Sequence, residues 1–280
     1  MGPVFSRKGA LGLLAAAGLL AGGAFALRSS PPPAAAPSFV SPSPTADAPQ
    51  VAAFASPPPD GLPVIDYWTA PRGFPKDPTP SLTTAATEGL HPTKKLAVYD
   101  APGGEPKALL PPTISKLPVI VPIVNRRTGW VAVLLPTTNR RIGWLPVKDW
   151  VKRDLKDHLL VQRSKHKLTW YRDGAAQKSW TVAVGTKATP TPLGRTFVLG
   201  RTATSGSVYA GVDALALGSV PDDKGSVAES LQGAHTGIHG WTNPSAFGRS
   251  ISNGCVRMPR EAQKTLLKNI GPGTQVTVVD

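Results

Sequence analysis

The chain carries one cysteine, Cys255, in the run Ser252-Asn253-Gly254-Cys255-Val256-Arg257-Met258, and a histidine, His239, in Gly237-Ile238-His239-Gly240. A thiol attacks well only as its thiolate, so a reactive cysteine needs a base or a local positive potential. His239 can supply both, because neutral imidazole accepts the proton and the imidazolium then stabilises the thiolate. A helix expected to open at Pro259 could also lower the thiol pKa if its N–H groups point toward Cys255. Acyl transfer needs donors for an oxyanion, and the backbone N–H groups of Asn253, Gly254 and Cys255 are candidates. Gly254 also permits a tight turn and leaves room beside the sulfur. Arg257 can pair bidentately with a substrate carboxylate, or it can brace the loop through a structural ion pair. Ser252 suits orienting His239 or the loop better than attacking. The competing reading of Cys255 is a small, inert core residue.

Other candidates are weaker. His235 lies four residues before His239, but Thr236-Gly237 between them argues against a helix and no third ligand is evident. Neither a metal site nor a cofactor is expected. His91, His158 and His166 fall near expected strand edges or turns and read as surface residues.

The elements that must hold these groups read as mainly β. Leu159 to Gln162, Lys167 to Tyr171, Lys178 to Val184 and Thr196 to Leu199 have strand patterns, with Asp173-Gly174 as a hairpin turn. Ala262, Leu266 and Ile270 fall on one face of a helix that Gly271-Pro272 stops, and Thr274 to Val279 alternates as a last strand. Upstream, short apolar runs between Lys94 and Val151 are broken by Gly/Pro turns, which suggests a small β-barrel. Its Gly129-Trp130-Val131 and Gly143-Trp144-Leu145 strands resemble the end of a bacterial SH3-like domain. Such domains often bind wall peptides, although Trp130 and Trp144 suit packing better than a ligand platform.

Composition gives an address. Arg7 and Lys8 precede an uncharged Ala/Leu/Gly stretch ending near Ala24-Phe25-Ala26, the pattern of an export signal, with an uncleaved membrane anchor as the alternative. An exported, wall-side location follows, and a lone cysteine there has no intrachain disulfide partner. Residues 28–60 are rich in Pro, Ala and Ser and suit an extended spacer, taken to run to residue 90. The net charge of +14 favours acidic wall polymers or lipid headgroups, or it reflects a basic surface with no specific partner. No zinc-finger spacing or RNA-binding aromatic motif points to nucleic acid.

Together the motifs resemble the L,D-transpeptidase (YkuD-like) catalytic domain of bacterial cell-wall enzymes. Thr191-Pro192-Leu193-Gly194-Arg195-Thr196-Phe197 resembles its Thr-Pro-x-Gly-x-Phe stretch, Ile238-His239-Gly240 its histidine segment, and Ser252 to Met258 its Ser-His-Gly-Cys motif. Asn253 departs from that motif, standing where many members carry a second histidine. The resemblance implies residues 1–27 as signal or anchor, 28–90 as linker, 91–153 as SH3-like domain and 156–280 as catalytic domain. It also implies Cys255 as nucleophile, His239 as general base and acid, and the Gly240 carbonyl as the group orienting His239. Tyr209 falls in the segment that would line the donor-peptide groove, with ordinary packing as the equal alternative. The implied substrate is the peptidoglycan stem peptide, with D-alanine released from tetrapeptides, 3-3 cross-links formed, and carbapenem-type inhibitors acylating the thiol. An L,D-carboxypeptidase and a noncatalytic wall-binding protein are the alternatives.

Overall fold

The computed structural model describes residues 54–68, 70–219 and 236–280. The expected leader, the Pro-rich run to residue 53 and His235 lie outside the described residues. Among the described residues, no helix is long and apolar enough to cross a membrane.

As expected, the described residues are mainly β, with one α-helix among them, after the cysteine motif. Its first strands are β1 (Glu88–Pro92), β2 (Leu96–Tyr99), β3 (Pro106–Leu110), a short pair β4 (Thr113–Ile114) and β5 (Leu117–Pro118), and β6 (Val121–Arg127). They continue with β7 (Trp130–Leu134), β8 (Ile142–Pro146) and β9 (Trp150–Asp154). Apart from the β4-β5 pair, these form one antiparallel sheet ordered β3-β2-β8-β7-β6-β1-β9. Trp130 and Trp144 are buried in its core, and Trp130 meets Tyr99 edge-on at 5.1 Å.

The second set is β10 (Asp157–Gln162), β11 (Lys167–Arg172), β12 (Ala175–Thr181), β13 (Val184–Gly185), β14 (Gly194–Thr202) and β15 (Ala214–Leu217). It ends with β16 (Gly237–Trp241), β17 (Ser250–Ser252), β18 (Val256–Pro259), the helix α1 (Arg260–Asn269) and β19 (Gln275–Val279). The eight-stranded order is β12-β11-β10-β19-β14-β15-β16-β18, while β13 pairs with β17 alone. The β11-β12 hairpin turns on Asp173 and Gly174, both at positive φ (50° and 78°), as its Asp-Gly sequence favours. On α1, Ala262, Gln263 and Leu266 are buried, and the Gln263 amide donates to the carbonyls of Ile238 and Asp213. The helix is thereby fastened to β16, the strand that carries His239.

The spacer expected to reach residue 90 ends sooner. From residue 64 the chain is a strap whose Ile65, Tyr67 and Phe74 are buried in the core of the first sheet, bridged at Val64 to Leu109, Tyr67 to Thr137 and Lys76 to Arg141. Pro-rich composition hid these three anchors. Further along the strap, Asp77 makes a bidentate pair with Arg195 of β14, at 2.6 and 2.9 Å, and Thr79 adds a third bond to the guanidinium at 3.0 Å. Both charged side chains are almost wholly buried. In such a site, removing one partner leaves the other charge uncompensated and costs about 3–5 kcal/mol. Phe197 and Leu199 of β14 also pack into the core of the first sheet.

His158 was read as a surface residue, yet it is buried in β10, with Nε2 and the Thr277 hydroxyl 3.0 Å apart. The parallel pairing of β10 with β19, invisible in local sequence, covers it. Burial lowers its pKa from 6.5 to about 4. The unfolded chain therefore binds this proton more readily than the folded one, so stability is full above 6.5 and declines as pH falls toward 4. About 3 kcal/mol is at stake over that window. Thermal melts should show the melting temperature falling between pH 6.5 and 4, with a flatter dependence in His158→Gln; identical slopes would exclude His158 as the cause.

Candidate active site

Strands β16 and β18 run parallel with His239 opposite Arg257 and Trp241 opposite Pro259. Residues facing each other across a parallel pair point the same way, and alternation repeats that direction every second residue. Gly237, His239 and Trp241 therefore share a face with Arg257 and with Cys255, which immediately precedes β18. A backbone hydrogen bond with Gly237 reaches the Cys255 sulfur. Gly237 has no room for a side chain, since a Cβ there would come within 2.9 Å of the Leu215 carbonyl oxygen.

His239 is buried, and its Nδ1 lies 2.9 Å from the Gly240 carbonyl oxygen, which can only accept. In the neutral ring Nδ1 thus carries the hydrogen and Nε2 keeps a free electron pair. Burial lowers the His239 pKa, the Gly240 hydrogen bond opposes this, and the positive charge of Arg257 adds to the lowering. The ring is neutral at pH 7. A Cβ on Gly240 would meet Val212 at 2.7 Å, which explains a glycine at that position.

The sulfur contradicts the helix-dipole expectation. Strand β18 separates Cys255 from the first turn of α1, and burial raises the thiol pKa above 9.0, opposed by the Gly237 hydrogen bond and by Arg257. The resting pair is thiol and neutral imidazole.

Ser252 is fully buried and braces the turn, donating its hydroxyl hydrogen to the Cys255 carbonyl at 2.5 Å and accepting from the Gly254 N–H at 3.2 Å. The Gly254 N–H, one of three expected oxyanion donors, is engaged here. Gly254 adopts φ 111°, a conformation that side chains disfavour. Asn253 is exposed, and its side chain makes no hydrogen bond among the described residues.

Arg257 makes no ion pair among the described residues. Its guanidinium lies over the Trp241 ring at 3.8 Å, and its buried Nε has no hydrogen-bond partner. Its backbone supplies the brace instead, exchanging hydrogen bonds with Ala183 at 2.8 and 2.9 Å. Tyr209 ends a 3-10 turn (Ser207–Tyr209) and packs edge-on against His239 at 4.9 Å and Trp241 at 6.0 Å. Trp241 was overlooked in the sequence, although its place two residues beyond His239 on a strand puts it on the same face. Among the described residues no cluster of His, Cys, Asp and Glu could hold a metal.

Solved structures similar to this chain include LdtMt1 in complex with imipenem (TM-score 0.39, 13% identity, 72% of this chain and 100% of that one). Another is an L,D-transpeptidase of Mycobacterium tuberculosis H37Rv (TM-score 0.37, 16% identity, 50% and 72%). The YkuD protein of Bacillus subtilis (strain 168), named as an L,D-transpeptidase, is 29% identical over 43% of this chain and 65% of its own length. The corresponding YkuD of Bacillus licheniformis is 28% identical over 43% and 64%. The chain thus spans less than two thirds of these curated relatives. Residues 156–278, which hold Cys255, His239, Arg257, Tyr209 and Trp241, match the YkuD family model, the L,D-transpeptidase catalytic domain.

Proposed function

We propose that the protein is an exported peptidoglycan L,D-transpeptidase that forms 3-3 cross-links through a Cys255 thioester. The observation that carries this reading is the shared face of β16 and β18, where a thiol, an imidazole fixed by Gly240 and an uncompensated guanidinium converge. The thiol proton passes to Nε2 of His239 as sulfur attacks the carbonyl of the third stem residue. The oxyanion draws on the Cys255 N–H, since Gly254 is engaged by Ser252. The imidazolium then protonates the leaving D-alanine amine. Neutral again, His239 takes a proton from the acceptor amine, which attacks the thioester and frees the thiol. Arg257 receives a stem carboxylate, for which its unpartnered Nε is suited.

Two grooves are lined by chain neighbours of these residues, though by neither Cys255 nor His239 themselves. One of about 500 Å³ is lined by Ser207, Trp241, Phe247 and Arg260, and another of about 420 Å³ by Gly185, Thr186, Pro190 and Ser250. Mass spectrometry of products from a defined pair of tetrapeptide muropeptides tests the proposal. A 3-3 dimer with loss of D-alanine is expected. Tripeptide alone would make the protein an L,D-carboxypeptidase, and unchanged substrate would leave a wall-binding protein. The first sheet, read as SH3-like, and the basic charge would hold the enzyme near wall peptides and acidic polymers.

A further inference from the structure

Arg257 differs from several other arginines of the chain in how its head is held. Arg163, Arg172 and Arg195 each turn the edge formed by Nε and Nη2 to a carboxylate, that of Asp280, Asp157 and Asp77 respectively. At Arg257 the Nε of that edge is buried and has no hydrogen-bond partner among the described residues. The guanidinium rests instead on Trp241, with Cζ 3.8 Å from the ring centroid. An acidic partner consumes the in-plane N–H donors, whereas an aromatic ring supports the cation through its face and leaves them free. The ring is itself fixed. Tyr209 meets it edge-on at 6.0 Å, His239 lies 5.7 Å away, and the N–H of the next residue, Thr242, donates to the Val208 carbonyl at 3.2 Å. With the Arg257 backbone tied to Ala183, the long side chain is the part left to choose among rotamers, and the ring selects one.

We propose that Trp241 is the positioning residue of a carboxylate receptor beside the thiol, holding the Arg257 guanidinium so that its Nε edge meets an anion that enters with the electrophile. This deepens the reading in which Arg257 receives a stem carboxylate, and it rests on that reading. Cys255 stands two residues before Arg257 and shares its face, so the receptor suits substrates whose carboxylate lies a few bonds from the carbon that sulfur attacks. His239 handles the proton, and Trp241 acts only through Arg257.

Cys255 is the only cysteine, so alkylation of the full chain reads this site alone. Iodoacetate and iodoacetamide share the reacting carbon, from which the thiolate displaces iodide, and differ in carrying a carboxylate or a neutral amide. The ratio of their rates cancels any change in thiol ionisation and reports the pull of the guanidinium. Trp241→Leu should lower the ratio about fivefold, Trp241→Phe should recover most of the loss, and Arg257→Gln should lower it as far as Trp241→Leu. Adding Trp241→Leu to Arg257→Gln should change nothing further, because a residue acting through Arg257 has no effect without it. A native ratio in Trp241→Leu, or an equal fall in both backgrounds, would overturn the proposal. A native ratio in Arg257→Gln would remove the carboxylate role as well. Neither reagent is a stem peptide, so a failure to cross-link muropeptides leaves these outcomes untouched. Should Trp241→Leu not fold, NMR of the native chain decides. The Arg257 Nε–H signal, identified by its loss in Arg257→Gln, should stand upfield in the ring current of Trp241 and move on addition of acetate. An ordinary shift, or indifference to acetate, would refute the placement.

Discussion

Cys255→Ala should reduce D-alanine release from a tetrapeptide stem to background, a loss of about four orders of magnitude or more, while the protein stays folded. No other group can take over. The neighbouring Ser252 hydroxyl is fully buried and spends its hydrogen on the Cys255 carbonyl. Loss of a nucleophile that acts together with its base removes nearly all the chemistry. Alanine omits only the sulfur from a turn held by Ser252, so the thermal melt should move little. Intact-mass measurement gives an independent check: a carbapenem-type β-lactam should add its mass to the native chain and not to the variant. Release that survives in Cys255→Ala would remove the thioester mechanism.

The second large effect concerns His239. His239→Ala should lower kcat by about 10²–10⁴-fold, the usual contribution of a positioned base. The sign of the pH dependence follows from the site. Because burial and Arg257 lower the His239 pKa, the imidazole stays neutral to below 6.5, and kcat/KM in the native enzyme should fall only under that value as the ring gains a proton. In His239→Ala the acid limb should vanish, and thiol alkylation should rise only as pH approaches the thiol's own titration, above 9.0. An acid limb at or above 6.5 in the native enzyme would contradict a buried neutral base.

Local chemistry made several elements legible in advance. Asp173-Gly174 specified its hairpin, the period of Ala262, Leu266 and Ile270 specified α1, and the Gly-Trp strands specified buried tryptophans. Cys255 and His239 stood out because few roles suit a lone thiol in a glycine turn near a histidine. What escaped notice depends on contacts between distant segments. The pairing of β10 with β19 buries His158, and that of β16 with β18 puts Trp241 under Arg257. The direction of the thiol shift depends on burial, which no seven-residue motif encodes. The same holds for the Gly254 N–H, whose engagement depends on where the Ser252 side chain turns.

The Asp77–Arg195 pair bears on how the family-matched half of the chain could be moved or inherited. A fragment cut to the family-matched residues 156–278 would keep Arg195, Phe197 and Leu199 but leave behind the carboxylate and the apolar wall they fit. The segment that matches the family should therefore melt at a lower temperature alone than with the strap attached. Grafted onto another carrier, it would keep that stability only if the strap and β14 travelled together.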